Sequence, residues 1–574
     1  MRALVRWLRR LALAGLALAL SSVLGFAVAD RLWPFPVERL ERFPTSPRVT
    51  DRHGRLLFEQ VGTDEQWRRP VPLAEISPWL VQATVAVEDE RFFAHPGVDP
   101  LAIARALGQN LLAGRVVSGA STLSMQVCRM MEPRPRTLRS KVIEAFRALQ
   151  LERRYGKDEI LEFYLNLAPY GGNLRGAECA AEHYFGKRAA DLSLGEAALL
   201  AGVPQSPRRL RPDVNPESAR KRRAVVLDRL RAAGQLRRAV HERVGASPPV
   251  LRRGPRRTHA PHAAALALAR RPGGGRTTID LDVQLEVEYL ALDHARLLPR
   301  GGDLAVVVIE IASGDVLALL GSADPDDPLD GQVNGAVARR SPGSALKPFL
   351  FAAAFETRRY GAETVLEDAP LDLAGWRPAN FDGGFRGPVT AAEALRRSLN
   401  VPALRLVRGA GLARCAGVLE ACGVELRPDA LERSGLALVT GATEVRLLDL
   451  TAAYATLGRG GLYLPPRLFV DQPRSPGSRA LTPETCDALW AILSTENGAP
   501  NGLTPAPGGP SFLWKTGTSA GHRDAWAVGH DGRLAIGVWA GRFSGAGHPD
   551  YAGRTLAEPL LARLFASELV RALP

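Results

Sequence analysis

Hydrophobic and polar positions follow three different rules along this chain. Near the N-terminus Arg2, Arg6, Arg9 and Arg10 precede an uncharged run from Leu11 to Ala29, closed by Asp30. Its 19 residues are just enough to cross a bilayer as a helix. Basic residues before it and an acid after it place the N-terminus in the cytoplasm and the bulk outside. Ala27-Val28-Ala29 resembles a signal-peptide cleavage site, but the length of the run favours a retained anchor. Trp33 to about Pro72 is Pro-rich and mixed, and reads as a lead-in. From Leu73 to about Gln235 apolar residues recur at helical spacing, in Leu101–Leu112, Thr137–Tyr155, Lys157–Asn166 and Ser193–Val203. The very basic stretch Arg208–Arg238 ends this block. Arg252–Gly275, rich in Arg, Pro, Ala and Gly, reads as a linker. Beyond it the pattern changes: Leu304–Ile311, a Gly314-Asp315 turn and Val316–Leu320 read as a β-hairpin, and Asp524–Gly529 and Leu534–Gly541 as further strands. No internal repeat is evident.

The chain has 574 residues, too many for one compact core. With 46% apolar and 23% charged residues it is a folded protein. A net charge of +14 suits an anionic partner, although drift toward Arg explains it equally well. There are no zinc-finger spacings and no basic run followed by heptads, so nucleic acid is not the expected partner. Six of the 74 basic residues are Lys (Lys141, Lys157, Lys187, Lys221, Lys347 and Lys515), and the rest are Arg. Lys can lose its proton when desolvated and Arg cannot, so a surviving Lys marks a place that Arg cannot serve. The cysteines form no CxxC, which argues against a zinc or redox site. Cys415 and Cys422 are either a pair in an oxidising compartment or buried free thiols.

In the second block Ser344-Ala345-Leu346-Lys347 follows Pro342-Gly343 and opens an apolar run, which puts Ser344 at a helix start with Lys347 one turn on. A serine hydroxyl needs a neighbour to take its proton, and a desolvated Lys can do so. A second copy, Ser218-Ala219-Arg220-Lys221, lies in basic text and reads as a solvated helix start. Only Ser344 has company downstream: Ser398-Leu399-Asn400 and Lys515-Thr516-Gly517-Thr518-Ser519. In this arrangement Ser398 passes a proton to the leaving amine and Asn400 holds the substrate amide. Lys515 on an edge strand meets a carboxylate, Thr516 and Thr518 supply hydroxyls, and Gly517 admits the substrate backbone.

The first block carries acids after an apolar stretch, Glu88-Asp89-Glu90, then Arg91-Phe92-Phe93-Ala94-His95-Pro96-Gly97. An acid against an apolar wall can serve as a general base. Gly119 to Gln126 is a small, hydroxyl-rich turn suited to an anionic group. Lys141-Val142-Ile143-Glu144 sets Lys and an acid one turn apart. His95 reads as a hydrogen-bonded structural residue ahead of a ligand or base.

Taken together, Ser341 to Phe349, Arg397 to Ala403 and Trp514 to Ser519 resemble the transpeptidase domain of penicillin-binding proteins. The first-block motifs resemble the peptidoglycan glycosyltransferases. These motifs are joined by Lys157 to Asn166, Tyr184-Phe185-Gly186-Lys187 and Glu196 to Ala201. Met125-Gln126-Val127 and Ala168-Pro169-Tyr170-Gly171-Gly172 are similar to the 1C type of the class A, bifunctional proteins. Ser140 stands where that family has Arg beside Lys141. The 1C type often carries an extra C-terminal domain, and the 57 residues after Gly517 leave no room for one in this sequence.

The resemblance implies a multidomain α+β protein. Residues 1–30 are a cytoplasmic tail and transmembrane helix, and 45–235 a mostly α, lysozyme-like glycosyltransferase domain. Residues 236–275 are a linker, and 276–574 an α/β penicillin-binding transpeptidase domain with an antiparallel sheet. It implies chain growth from lipid II, with Glu88 as base. Lys141, Glu144, Ser121, Thr122 and Gln126 would handle the diphosphate and substrate. No cofactor is required, with Mg or Mn bridging Glu144 as an option. It implies that Ser344, with Lys347 as base, is acylated by the stem peptide or by β-lactams, and that nascent peptidoglycan at the bacterial inner membrane, on the periplasmic side, is the partner. Left open are a transpeptidase, a D,D-carboxypeptidase and a sensing module for the serine domain.

Overall fold

The computed structural model describes Trp7, Ser21 and residues 23–41, 43–115, 119–252, 258–373, 375–495 and 511–572. Most of the expected anchor, Leu11–Ala29, lies outside the described residues. No helix among the described residues is long and apolar enough to cross a membrane.

The chain forms two compact units, residues 1–46 with 60–256, and residues 47–59 with 257–574. The first is mostly helical, as the spacing of its apolar residues predicts. Helices cover Pro78–Glu88, Pro100–Ala113, Leu123–Met131, Leu138–Glu152, Lys157–Leu167, Ala177–Phe185, Leu194–Gly202 and Pro216–Ala232. Their ends are written locally. Asp99 accepts from the N–H groups of Leu101 and Ala102, and Gly114 closes that helix in the left-handed region. Buried Leu80, Phe92, Leu161, Tyr164 and Leu200 lie in one core. Helix Leu194–Gly202 packs against both Pro78–Glu88 and Pro216–Ala232.

The second unit is built on a five-stranded antiparallel sheet. Its strand order is Leu513–Thr518, Asp524–His530, Leu534–Gly541, Asp303–Glu310, Val316–Leu320. The expected hairpin is present, with Val307 opposite Leu319. Alternation along Asp303–Glu310 divides the core. Leu304, Val306 and Val308 face helices Leu281–Ala295 and Glu558–Ala566. Ala305, Val307 and Ile309 face helices Lys347–Phe355 and Leu447–Gly458. Both faces are covered, which is why Leu304–Ile309 is an unbroken apolar run.

The boundaries expected from the sequence need correction in two places. Residues 48–59 are not lead-in: strands Arg48–Thr50 and Leu56–Glu59 pair with each other, and Arg48–Thr50 pairs in parallel with Gly274–Arg276 of the second unit. The expected linker also contains the helix Pro261–Arg270, which buries Ala263, Ala264 and Ala267 in the core of the second unit. Cys415 and Cys422 are buried free thiols, as are the other cysteines. Ser218 to Lys221 lies on helix Pro216–Ala232, where Lys221 pairs with Glu217 in solvent, as the solvated reading requires.

Candidate active sites

In the helical unit Glu88 is the last residue of Pro78–Glu88, so its carboxylate leaves the helix beside the start of Leu123–Met131. Gln126 Nε2 donates to Glu88 Oε2 at 3.0 Å, and Glu88 Oε1 is buried with no hydrogen-bond partner. Burial pushes this carboxyl above the ordinary carboxylate range, against the Gln126 hydrogen bond and the positive charges of Arg222 and Arg129. The buried hydroxyls of Tyr164 and Tyr170, close enough to feel the Glu88 charge, also lack partners. Glu88 and Gln126 stand out in the sequence, whereas Arg129, Arg222 and Tyr164 do not. Nothing in local sequence distinguishes these from structural residues.

Lys141, Glu144 and Ser121 meet as expected. Lys141 Nζ donates to Glu144 Oε2 at 3.0 Å and to the Ser121 hydroxyl. Glu144 is buried while the Lys141 side chain is 44% exposed, so the ammonium can reach a ligand without leaving its partner. Thr122 has a different role from the one expected. Its hydroxyl donates to Gly97 O at 2.6 Å and accepts from Met125 N, capping helix Leu123–Met131. That leaves it no free donor for a diphosphate. His95 is structural, as first read. Its Nε2 faces both Asp89 carboxylate oxygens at 3.1 Å, and Asp89 in turn accepts from Leu123 N. A divalent cation at Glu144 would meet one carboxylate already paired with Lys141. No group of three or more possible metal ligands occurs among the described residues. These residues do not fit a protein-held metal.

In the sheet unit three segments distant in sequence line one cavity of about 540 Å³: Ser344, Ser398 to Asn400, and Thr516 to Ser519. Ser344 lies in a 3₁₀ turn, Gly343–Leu346, that runs into helix Lys347–Phe355. Edge strand Leu513–Thr518 presses against this turn. A Cβ at Gly343, where φ is +53°, would lie 2.3 Å from Thr518 O, and one at Gly517 would lie 2.1 Å from Pro342 O. Gly517 therefore makes room for the serine turn itself, and it also lines the cavity.

Lys347 is fully buried. Its Nζ donates to Ser398 O at 2.7 Å, Leu399 O at 3.1 Å and Asn400 Oδ1 at 2.7 Å. Burial, reinforced by the nearby Lys515 charge, pushes its ammonium well below the ordinary lysine range. The three acceptors oppose that shift, but they are uncharged and return only part of the lost hydration. Ser344 Oγ has no hydrogen-bond partner among the described residues. The expected direct contact between Lys347 and Ser344 is thus replaced here by contacts to the Ser398–Asn400 turn. Catalytic hydrogen bonds often tighten only when substrate is bound, so this geometry leaves the base assignment intact.

Asn400 also departs from expectation. Its Oδ1 accepts from Lys347 and its Nδ2 donates to Ala379 O, so it holds the lysine ahead of any substrate amide. Ser398 lines the cavity with a left-handed backbone, φ +58°. Lys515 lies on the edge strand as expected, but buried. Its Nζ donates to Thr516 O at 2.9 Å, and burial lowers its pKa to about 8. Thr518 Oγ1 accepts from Gly553 N at 3.1 Å, while Thr516 lines the cavity.

This pairing of a buried carboxylate site with a serine–lysine cavity recurs in known proteins. Residues 53–231 match the Transglycosylase family and residues 304–541 the Penicillin binding protein transpeptidase domain. The chain belongs to the class A penicillin-binding proteins, enzymes with both domains. It is 38% identical to penicillin-binding protein 1C of Escherichia coli, across 93% of this chain and 69% of that protein. It is 28% identical to penicillin-binding protein 1B of Haemophilus influenzae, across 91% of this chain and 74% of that one. The crystal structure of penicillin-binding protein 1A from Haemophilus influenzae shares the fold, with a TM-score of 0.60 at 18% identity, across 93% of both chains.

Proposed function

We propose that this enzyme polymerises lipid II into glycan strands at the Glu88 site and cross-links their stem peptides through an acyl-enzyme on Ser344. In the helical unit Glu88 removes the proton from the acceptor sugar 4-hydroxyl. The oxygen attacks the anomeric carbon of the donor, and the bond to the lipid diphosphate breaks. Lys141, held by Glu144 and Ser121, meets the departing negative charge. The raised proton affinity of Glu88 suits this work, because a base whose pKa approaches the working pH removes a proton most effectively.

In the sheet unit Lys347 Nζ exchanges a turn carbonyl for the Ser344 hydroxyl and takes its proton. Ser344 Oγ attacks the carbonyl carbon of the penultimate D-Ala. The tetrahedral adduct collapses, and the amine of the terminal D-Ala leaves with a proton delivered through Ser398. An amine from a neighbouring stem peptide then attacks the ester and frees Ser344. A β-lactam enters by the same first step and leaves its opened ring on Ser344.

The segment 11–29 would anchor the enzyme in the bacterial inner membrane, with both sites on the periplasmic side. The observation that carries the proposal is the convergence of Ser344, the Ser398–Asn400 turn and the Thr516–Ser519 segment on one cavity. The test is full-length protein with labelled lipid II, with and without penicillin. Polymer in both arms, and cross-linked dimers only without penicillin, is the expected result. Acylation by penicillin with no dimers would favour the sensing module, and trimmed monomers the carboxypeptidase.

A further inference from the structure

Helix Asn400–Ala410 starts without a side-chain cap of its own. Its first N–H groups, on Asn400 and Val401, would be orphan donors. They are met from another part of the chain. Asn380 Oδ1 accepts from Asn400 N at 2.8 Å and from Val401 N at 3.4 Å. Beside it Ala379 O accepts from Asn400 Nδ2 at 2.8 Å. The loop that brings Asn380 here closes a hairpin between strands Val365–Asp368 and Gly387–Thr390. Asp368, the last residue of the first strand, is wholly buried. Its two carboxylate oxygens accept from Asn380 Nδ2 at 2.9 and 3.0 Å, and one also accepts from Arg386 N at 3.1 Å. Asn380 Nδ2 further donates to Gly384 O at 2.8 Å. Every polar atom of this amide is therefore spoken for, and its orientation is fixed by Asp368.

We propose that Asn380 is a positioning residue for acyl transfer, oriented by Asp368, and that it holds the Ser398–Asn400 turn against Lys347. Lys347 takes all three of its acceptors from that turn. Ser398 keeps a left-handed backbone that a non-glycine residue holds only when its surroundings impose it. The turn's downstream end is pinned by Asn380 through the Asn400 N–H and by Ala379 through the Asn400 amide. Release of that pin lets the turn relax. The acceptors then move off Nζ, and Ser398 moves off its place beside Ser344. Asn380 hydrogen-bonds to neither serine and takes no part in proton transfer. The inference rests on the reading of Ser344 as the acylated residue.

The test is the acylation of full-length protein by a fluorescent penicillin, resolved into a noncovalent binding constant and a first-order acylation rate. Asn380→Asp keeps the acceptor and the shape but sets a carboxylate against Asp368. It should slow the acylation rate about 10- to 100-fold, the consequence of losing a buried hydrogen bond and misplacing the turn. Asn380 itself lines the cavity, but Asp matches it in size and shape, so binding of the intact penicillin should change less than about threefold. Adding Asp368→Asn restores one amide and one carboxylate with their positions exchanged, and should recover most of the rate. Thermal unfolding of the full-length variants, compared with wild type, serves as the control for folding. Acylation of Asn380→Asp at the wild-type rate overturns the inference, and so does a double variant no faster than the single one. Failure of the wild-type protein to label would instead remove Ser344 as the acylated residue, and the inference with it.

Discussion

Lys347 Nζ and Asn400 Oδ1 lie 2.7 Å apart, the lysine fully buried and the asparagine at the cavity wall. The contact joins the helix that follows the nucleophile to the turn that completes its cavity. Because the acceptor is a neutral amide, the ammonium gains orientation without a full counter-charge. A carboxylate at the same place would stabilise the charged form.

Asn400→Asp should therefore raise the proton affinity of Lys347 and weaken it as a base at neutral pH. The wild-type acylation rate should rise with pH and level off at an apparent pKa below the ordinary lysine value of 10.5. In the variant the same curve should move about 1 to 3 pH units upward. Penicillin acylation rates across pH 6 to 10 check this.

Glu88 makes a prediction of the same direction for the first site. Its folded pKa is raised above 4.5, and a base acts only when deprotonated, so polymerisation should switch on with rising pH through a midpoint above 4.5. Stability carries the other sign. Between the unfolded and folded pKa values the native state binds the extra proton, so Glu88 favours folding at low pH and costs stability once pH exceeds the folded value. Glu88→Gln should lose polymerisation by about 10²- to 10⁴-fold and melt at a higher temperature than wild type at pH 8.

Lys141→Ala removes the cation of the Ser121–Lys141–Glu144 group and leaves Glu144 buried without its partner. Polymerisation should fall about 100-fold or more, as expected for loss of one charge-stabilising group. Ser121→Ala should cost far less, because Lys141 keeps Glu144. Initial rates of glycan synthesis from labelled lipid II separate the two.

Leu399 is 3% exposed and packs in the core of the sheet unit. Leu399→Asp would write the sequence Ser-Asp-Asn, which related enzymes use, but here it buries an unpaired carboxylate. Thermal unfolding should show a loss of about 3 kcal/mol or more, with Leu399→Met within about 1.5 kcal/mol of wild type.

The helical unit was legible because its helices are long enough for a period to repeat. Leu138–Glu152 and Lys157–Leu167 fall within a few residues of the spans that spacing predicts. Strands of three or four residues offer no such repeat, so Arg48–Thr50 and Leu56–Glu59 were hidden in Pro-rich text. The helix Pro261–Arg270 is Ala-rich between basic and Gly-rich flanks, and composition alone reads it as a linker. At the sites, residue types announced Glu88, Lys141, Ser344 and Lys347, because unpaired acids and rare lysines stand out. Thr122 was misjudged because a capping hydroxyl and a ligand-binding hydroxyl look alike in one dimension. Asn380 was missed for a related reason. Its partners, Asp368 and the Asn400 N–H, are set by how a hairpin folds back.

The central claim is that two separate chemistries reside on Glu88 and Ser344. The most direct measurement follows glycan polymer and penicillin labelling together, in wild type, Glu88→Gln and Ser344→Ala. Glu88→Gln should label normally and make no polymer, and Ser344→Ala should make polymer and never label. Polymerisation by Glu88→Gln at the wild-type rate, or penicillin bound covalently to Ser344→Ala, would contradict the account.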